Sequence, residues 1–420
     1  MTSSSLRTFR RPALPALLAF LLAASACSSP PADTAEQGTD VAEGAALVDV
    51  HTQTFAQGRE LPTFQVDAGW PLLPDSLILG QVPGLSVDPE GDVWIINRPN
   101  SLDATEIGAA QDPPAAVCCY PPAHAMEFSA ETGELLTMWG GPDLTPEVDG
   151  TDQWPANVHG IFVDDGGDVW IGGNGDGDHV VLRFTQQGDF VQALGERGRT
   201  EGNMAPDALG NPADIHHDVE TGRVVVADGY INKRIVMYDA DSGDFVQLWG
   251  AYGEDPGGGT REGSFDQSQA TGGSEANIES TSFGDIVHCV TKGPDGRYYV
   301  CDRRNNRIQI FEENAEGEVE FVENLPIAPE TGGTRTASDV AFSPDGQFMY
   351  VADMMNGQVW ILDSGTYEIL GAFGKNGRYP GQFIWLHSVE VDPDGNVYTT
   401  EVSTGRRVQK FVLTNGVGVG

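Results

Sequence analysis

Six times between Val82 and Glu401 the chain runs an alternating strand into a turn of Asp, Pro and Gly, then out along a second strand. The copies read VPGLSVDPEGDVWII from Val82, HGIFVDDGGDVWIG from His159, ADIHHDVETGRVVVAD from Ala213, HCVTKGPDGRYYVCD from His288, SDVAFSPDGQFMYVAD from Ser338 and HSVEVDPDGNVYTTE from His387. Most continue into a third strand, such as NKRIVMYD over 232–239. Several end on a fourth, closed by Trp-Gly or Phe-Gly as in VQLWG and ILGAFG. The period is about 50 residues, stretched to about 75 by insertions, which is the range of propeller blades. Six such units predict an all-β, six-bladed β-propeller over residues 48–420. The stretch from Val48 to Leu79 has strand-like runs but no turn motif. It is expected to supply the outer strand or strands of the last blade and close the ring. An insertion rich in Gly, Ser, Glu and Asp, about 251–283, reads as a surface loop.

The first 26 residues do not belong to the repeats. Arg7, Arg10 and Arg11 precede the apolar run Leu14–Leu22, which is too short for a stable span. Small residues then lead to Cys27. The pattern resembles a bacterial lipoprotein signal, with Cys27 lipidated and residues 27–47 as a flexible tether. The expectation is an exported, membrane-anchored protein facing the periplasm or cell exterior, touching the membrane only through its lipid. The formal net charge of −39 repels phosphate backbones, so no nucleic acid partner is expected. The chain is read as a monomer. Cys289 and Cys301 flank the turn at 294–296 symmetrically, so antiparallel pairing would bring them to disulfide reach. For the adjacent Cys118 and Cys119, a vicinal disulfide, a thiol pair and unpaired residues all stay open.

Five residues before each turn, the repeats hold Pro83, His159, Ala213, His288, Ser338 and His387. The histidines take blades two, four and six. The first strand of a propeller blade lines the central channel, so equivalent positions form a ring and every second member forms a triangle. Three imidazoles converging with one direction open suit a catalytic zinc ion. The other five histidines lie outside this column. His179 reads as a surface residue, and His216 and His217 as structural ones. The second strand returns to the face where the first began. The loops after it therefore surround the histidines, and they carry Arg98, Tyr230 and Arg303. A phenol beside a metal and cations can act as a base, and two guanidinium groups can clamp a carboxylate.

The repeat style resembles NHL repeats over about residues 80–412. The motifs HG-hydrophobic at 159–161, DGY at 228–230, DR…NRIQ at 302–309 and the last-blade His387 resemble those of the peptidyl-α-hydroxyglycine α-amidating lyases. That resemblance implies a six-bladed propeller with zinc on His159, His288 and His387. It implies Tyr230 as the base and Arg98 and Arg303 as the substrate clamp. The implied reaction cleaves the C–N bond of a peptidyl- or N-acyl-α-hydroxyglycine to an amide and glyoxylate. The family also carries a channel calcium, whose matching positions are the main chains of Val82 and Ile161 and the side chain of Ser388. Serine stands there in place of the family's aspartate and is a weaker Ca2+ ligand, so zinc is the better supported of the two ions. Trp385 replaces a methionine near the family's site. Two other readings compete: a metal-dependent propeller hydrolase or lactonase, and a lipid-anchored, non-catalytic NHL propeller that binds a protein or ligand. The sequence contains no nucleophile elbow, phosphate loop, HExxH helix or CxxC motif.

Overall fold

The computed structural model describes residues 47–56, 58–257 and 276–419. The signal segment, Cys27 and the tether up to residue 46 lie outside the described residues. Among the described residues, no helix is long and apolar enough to cross a membrane.

Six antiparallel sheets follow one another around the ring. Their inner strands are Gln81–Val87, Val158–Val163, Asp214–Asp218, Val287–Lys292, Asp339–Phe342 and Leu386–Val391. Blades one to four are each built from four consecutive strands. The last blade has only three strands from the C-terminal end of the chain. Phe64–Asp67 pairs with Val408–Leu413 as its fourth strand, and Leu47–Val50 adds a fifth. The ring is thus closed by the segment expected to close it. One strand of that segment goes elsewhere: Thr52–Thr54 pairs with Ile369–Phe373 on the edge of blade five.

The repeated turn has a repeated internal logic. In blades one, two and six its aspartate accepts a backbone N–H four residues on, from Asp92, Asp168 and Asn396. The other oxygen accepts from an aromatic on the second strand: Trp94 Nε1, Trp170 Nε1 and Tyr398 OH. One carboxylate therefore fixes both the turn and the buried ring beside it, which is why Asp and the aromatic recur together. His217 joins this network, with Nδ1 2.5 Å from Asp164 Oδ2, and is structural as expected.

Cys289 and Cys301 stand opposite each other in the register of blade four and are disulfide-bonded. Cys118 and Cys119 are joined to each other. Within the insertion expected over 251–283, the described ends pack on the molecule. Phe283 is buried, and Arg307 donates to Tyr252 OH and to the carbonyl of Ile278.

Candidate metal centre

His159, His288 and His387 converge at one end of the channel, and all three are buried. The ring nitrogens facing one another lie within 4.8 Å, and Nε2 of His288 is 3.2 Å from Nε2 of His387. The opposite nitrogen of each ring is held by the main chain of the next blade. His159 Nδ1 donates to Ala213 O at 2.7 Å, His288 Nδ1 to Ser338 O at 2.6 Å and His387 Nδ1 to Pro83 O at 2.5 Å. A carbonyl oxygen can only accept, so each Nδ1 carries the proton and each Nε2 presents a lone pair. The acceptors Pro83, Ala213 and Ser338 are the three non-histidine members of the same ring.

This donor set fits a cation. Two lone pairs facing at 3.2 Å with no proton between them repel. Nitrogens on one tetrahedral zinc stand roughly 3.3 Å apart, and backbone carbonyls anchoring Nδ1 are the usual support of a metal-bound imidazole. Burial pushes all three histidines well below the usual imidazole range. The neighbouring Arg98 and Arg303 charges add to this for His159 and His387, and Arg303 for His288. They are neutral, as ligands must be.

Two glycines make the arrangement possible. A Cβ on Gly160 would come within 2.7 Å of Ala213 O, the carbonyl that orients His159. A Cβ on Gly229 would come within 1.9 Å of Val287 O, so the loop carrying Tyr230 can lie against the start of blade four only without one. That loop is pinned by the buried Asp228–Arg234 pair, and Asp228 also accepts from Gly210 N and Asn232 Nδ2. Blade four repeats the device with Asp302 and Arg307, which fix the loop of Arg303.

The three loop residues expected near the histidines are there. Tyr230 OH is 2.7 Å from His159 Nε2. The buried Arg303 guanidinium donates to the Tyr230 side chain, and burial lowers its pKa. Arg98 is more constrained than a free clamp: it donates to Val158 O, Gln81 Oε1 and Asn174 Oδ1. Burial brings it to about 10, still cationic at neutral pH. Ser388 Oγ donates to Pro83 O, the carbonyl that also holds His387. Its hydroxyl therefore supports the triad from behind. His179, expected on the surface, is instead buried at 5% exposure; its main chain bonds to Gly177 O and Glu196 N, and its side chain to Asn211. Asp178, in the DGDGD run, accepts from Ala156, Asn157 and Gly175 N–H groups and is structural.

Two features lie outside what was expected from the sequence, although Asp214 and Asp339 share one repeat column, directly after the ring position in blades three and five. On the far side of the histidines, a channel cavity of about 240 Å3 is lined by Asp214, Asp339 and Glu390. Burial raises Asp214 to about 7 and Glu390 to about 8, and Asp339 well above the carboxylate range. At the near mouth, Arg335 joins Arg303: its N–H donates to Arg303 O, and its charge acts on Tyr230. In a chain of net charge −39, three arginines gathered around one phenol make this mouth a cationic exception.

Comparison with known proteins agrees with this architecture. A family described as "Lactonase, 7-bladed beta-propeller" matches residues 201–401, although this ring has six blades. The human NHL repeat-containing protein 3 is 29% identical over 294 residues, 68% of this chain and 72% of that protein. The Drosophila melanogaster peptidyl-alpha-hydroxyglycine alpha-amidating lyase 1 is 23% identical over 367 residues, 83% of this chain and 60% of the relative. The Rattus norvegicus peptidylglycine alpha-amidating monooxygenase is 26% identical over 261 residues, and the match spans only 23% of its length. The chain is similar to NHL-repeat and lactonase-type propellers, a group of relatives that includes amidating enzymes.

Proposed function

We propose that the protein is a zinc-dependent lyase that cleaves the C–N bond of a peptidyl- or N-acyl-α-hydroxyglycine, releasing an amide and glyoxylate. The observation that carries this reading is the triad itself: three Nε2 lone pairs aimed at one point, with a phenol oxygen 2.7 Å from one of them. A binding scaffold has no use for three neutral imidazoles locked in this tautomer. His159, His288 and His387 would hold the zinc, which when bound supplies Lewis-acid polarisation of the oxygen on the cleaved carbon.

The chain's own groups account for the rest. Arg303 takes the substrate carboxylate, and Arg98 adds its charge while its hydrogen bonds keep the wall rigid. Tyr230 accepts the hydroxyl proton. As that O–H bond breaks, the oxygen's electrons form the aldehyde C=O, the C–N bond breaks, and the amide nitrogen takes the proton back from Tyr230. With the export signal and the Cys27 anchor expected from the sequence, the reaction would run outside the cytoplasm, on a lipid tether.

The lactonase-type family match favours a second reading, a metal-dependent propeller hydrolase on the same site. Glyoxylate release from a peptidyl-α-hydroxyglycine by zinc-supplemented protein, beside His288→Ala, separates them. Release by the wild type and not the variant is expected. Folded, zinc-containing protein that releases none, yet opens a lactone, would move the assignment to the hydrolase.

A further inference from the structure

Beside the cationic mouth, between blades five and six, lies a second cavity of about 210 Å3, lined by Arg335, Met354, Met355, Asn376, Ile384 and Trp385. It adjoins the reacting groups through short stretches of chain. Trp385 precedes the ligand His387 by two residues, and Arg335 precedes by three Ser338, whose carbonyl orients His288. The Arg335 guanidinium lies 5.6 Å from the Trp385 ring, over its face. Its charge also reaches Arg303 and Tyr230. Arg335 therefore lines the cavity while its charge acts on the phenol.

Both members of this pair hold left-handed backbone, Arg335 at φ 80 and Trp385 at φ 57. Neither is a glycine, and such positions persist only where surrounding contacts over-determine them. Those contacts are present: Arg335 N donates to Arg303 O, Arg335 O accepts from Met354 N, and Trp385 O accepts from Val402 N. The backbone is fixed in an unfavoured conformation, and the result is a tryptophan 40% exposed at the mouth of the site. Two methionines add an adaptable apolar lining.

We propose that this cavity is an acyl-side subsite that takes an apolar group: the aromatic or aliphatic acyl portion of an N-acyl-α-hydroxyglycine, or an apolar residue preceding a C-terminal hydroxyglycine. The proposal rests on the lyase reading for the hydroxyglycine itself. The volume suits one side chain rather than a drug-sized ligand, for which pockets run to about 300–1,000 Å3. With the carboxylate on Arg303, the acyl carbonyl meets Arg335, and the group beyond it meets Trp385, Met354 and Met355. Trp385 and Arg335 are specificity-determining residues in this arrangement.

The test compares N-benzoyl- and N-acetyl-α-hydroxyglycine with the zinc-supplemented protein. The kcat/KM ratio should favour benzoyl by about 10- to 100-fold. Trp385→Ala should bring the ratio within about threefold, and Trp385→Phe should restore most of it. A parallel arm measures equilibrium binding of N-benzoylglycine and N-acetylglycine, which lack the hydroxyl and cannot react. The same preference and the same loss in Trp385→Ala are expected there. Equal binding of the two glycines, or a benzoyl preference that survives Trp385→Ala, would overturn the subsite. If the binding preference and its loss are seen while no hydroxyglycine is cleaved, the lyase reading fails and the subsite stands.

Discussion

Glu390 faces the far channel cavity among Asp214 and Asp339, and its substitution by glutamine has a calculable effect. Burial, with the Asp214 charge second, raises Glu390 from 4.5 to about 8. The direction of the pH effect follows from linkage. Between these values the unfolded chain has lost the proton and the folded protein keeps it, so stability falls as pH rises. No loss is present below pH 4.5, and it is complete above pH 8. Each tenfold change in proton affinity is worth about 1.4 kcal/mol, so the total is roughly 5 kcal/mol, of which about 4 develops between pH 5 and pH 9. Water inside the channel screens part of this, which brings the expectation to about 2–4 kcal/mol. Glu390→Gln keeps the shape and removes the charge. It should leave stability nearly unchanged at pH 5 and raise it by that amount at pH 9. The assay is urea unfolding of wild type and variant at both pH values, with a chelator present throughout. A variant equally stable to the wild type at pH 9 would refute the burial argument. A variant less stable there would show that the carboxylate has a favourable partner.

Two further outcomes are expected. Tyr230→Phe should lower kcat by about 100- to 10,000-fold, the usual worth of a general base, while zinc content by metal analysis stays at the wild-type level. Replacing Cys289 and Cys301 together by serine opens a cross-link with a sequence separation of 12; it should cost about 3 kcal/mol in denaturant unfolding and leave the turnover of the remaining folded protein intact.

The ring of six inner-strand positions could be read from the sequence because a propeller repeats one local pattern. Once the turns are aligned, His159, His288 and His387 fall into one column without any knowledge of distance. Tyr230 and Arg303 followed from strand direction alone, since a second strand must return to the face of the first. What could not be read was contact between blades at positions the repeat does not align. Asp214 and Asp339 do share a column in the turn alignment, but Glu390 lies two residues further along its own strand, and only packing brings the three to one cavity. Arg335 and Trp385 sit in loops before blades five and six, and they meet only because the blades are neighbours. His179 looked exposed from its place at a strand entry, but its side chain is buried against Asn211, which lies before the next blade. The edge strand Thr52–Thr54 is similar: its pattern announced a strand, and only packing chose blade five over blade six.

The three Nδ1 hydrogen bonds all run in one direction around the ring, from blade two to three, four to five and six to one. Each therefore fixes an imidazole and ties two blades together with the same bond. The last of them, His387 to Pro83, crosses from the blade completed by the N-terminal strand to the first blade of the repeat. Its geometry needs blade six to lie against blade one, the seam of the blade that Phe64–Asp67 completes by pairing with Val408–Leu413. The third nitrogen of the triad is thus delivered by ring closure, whereas His159 and His288 are set within consecutive stretches of chain. A cation bound by all three nitrogens would stabilise the closed ring over an opened one by its affinity for the third ligand. Site assembly and fold closure are in this way one equilibrium, which gives the alternate-blade spacing of the histidines a structural consequence as well as a chemical one.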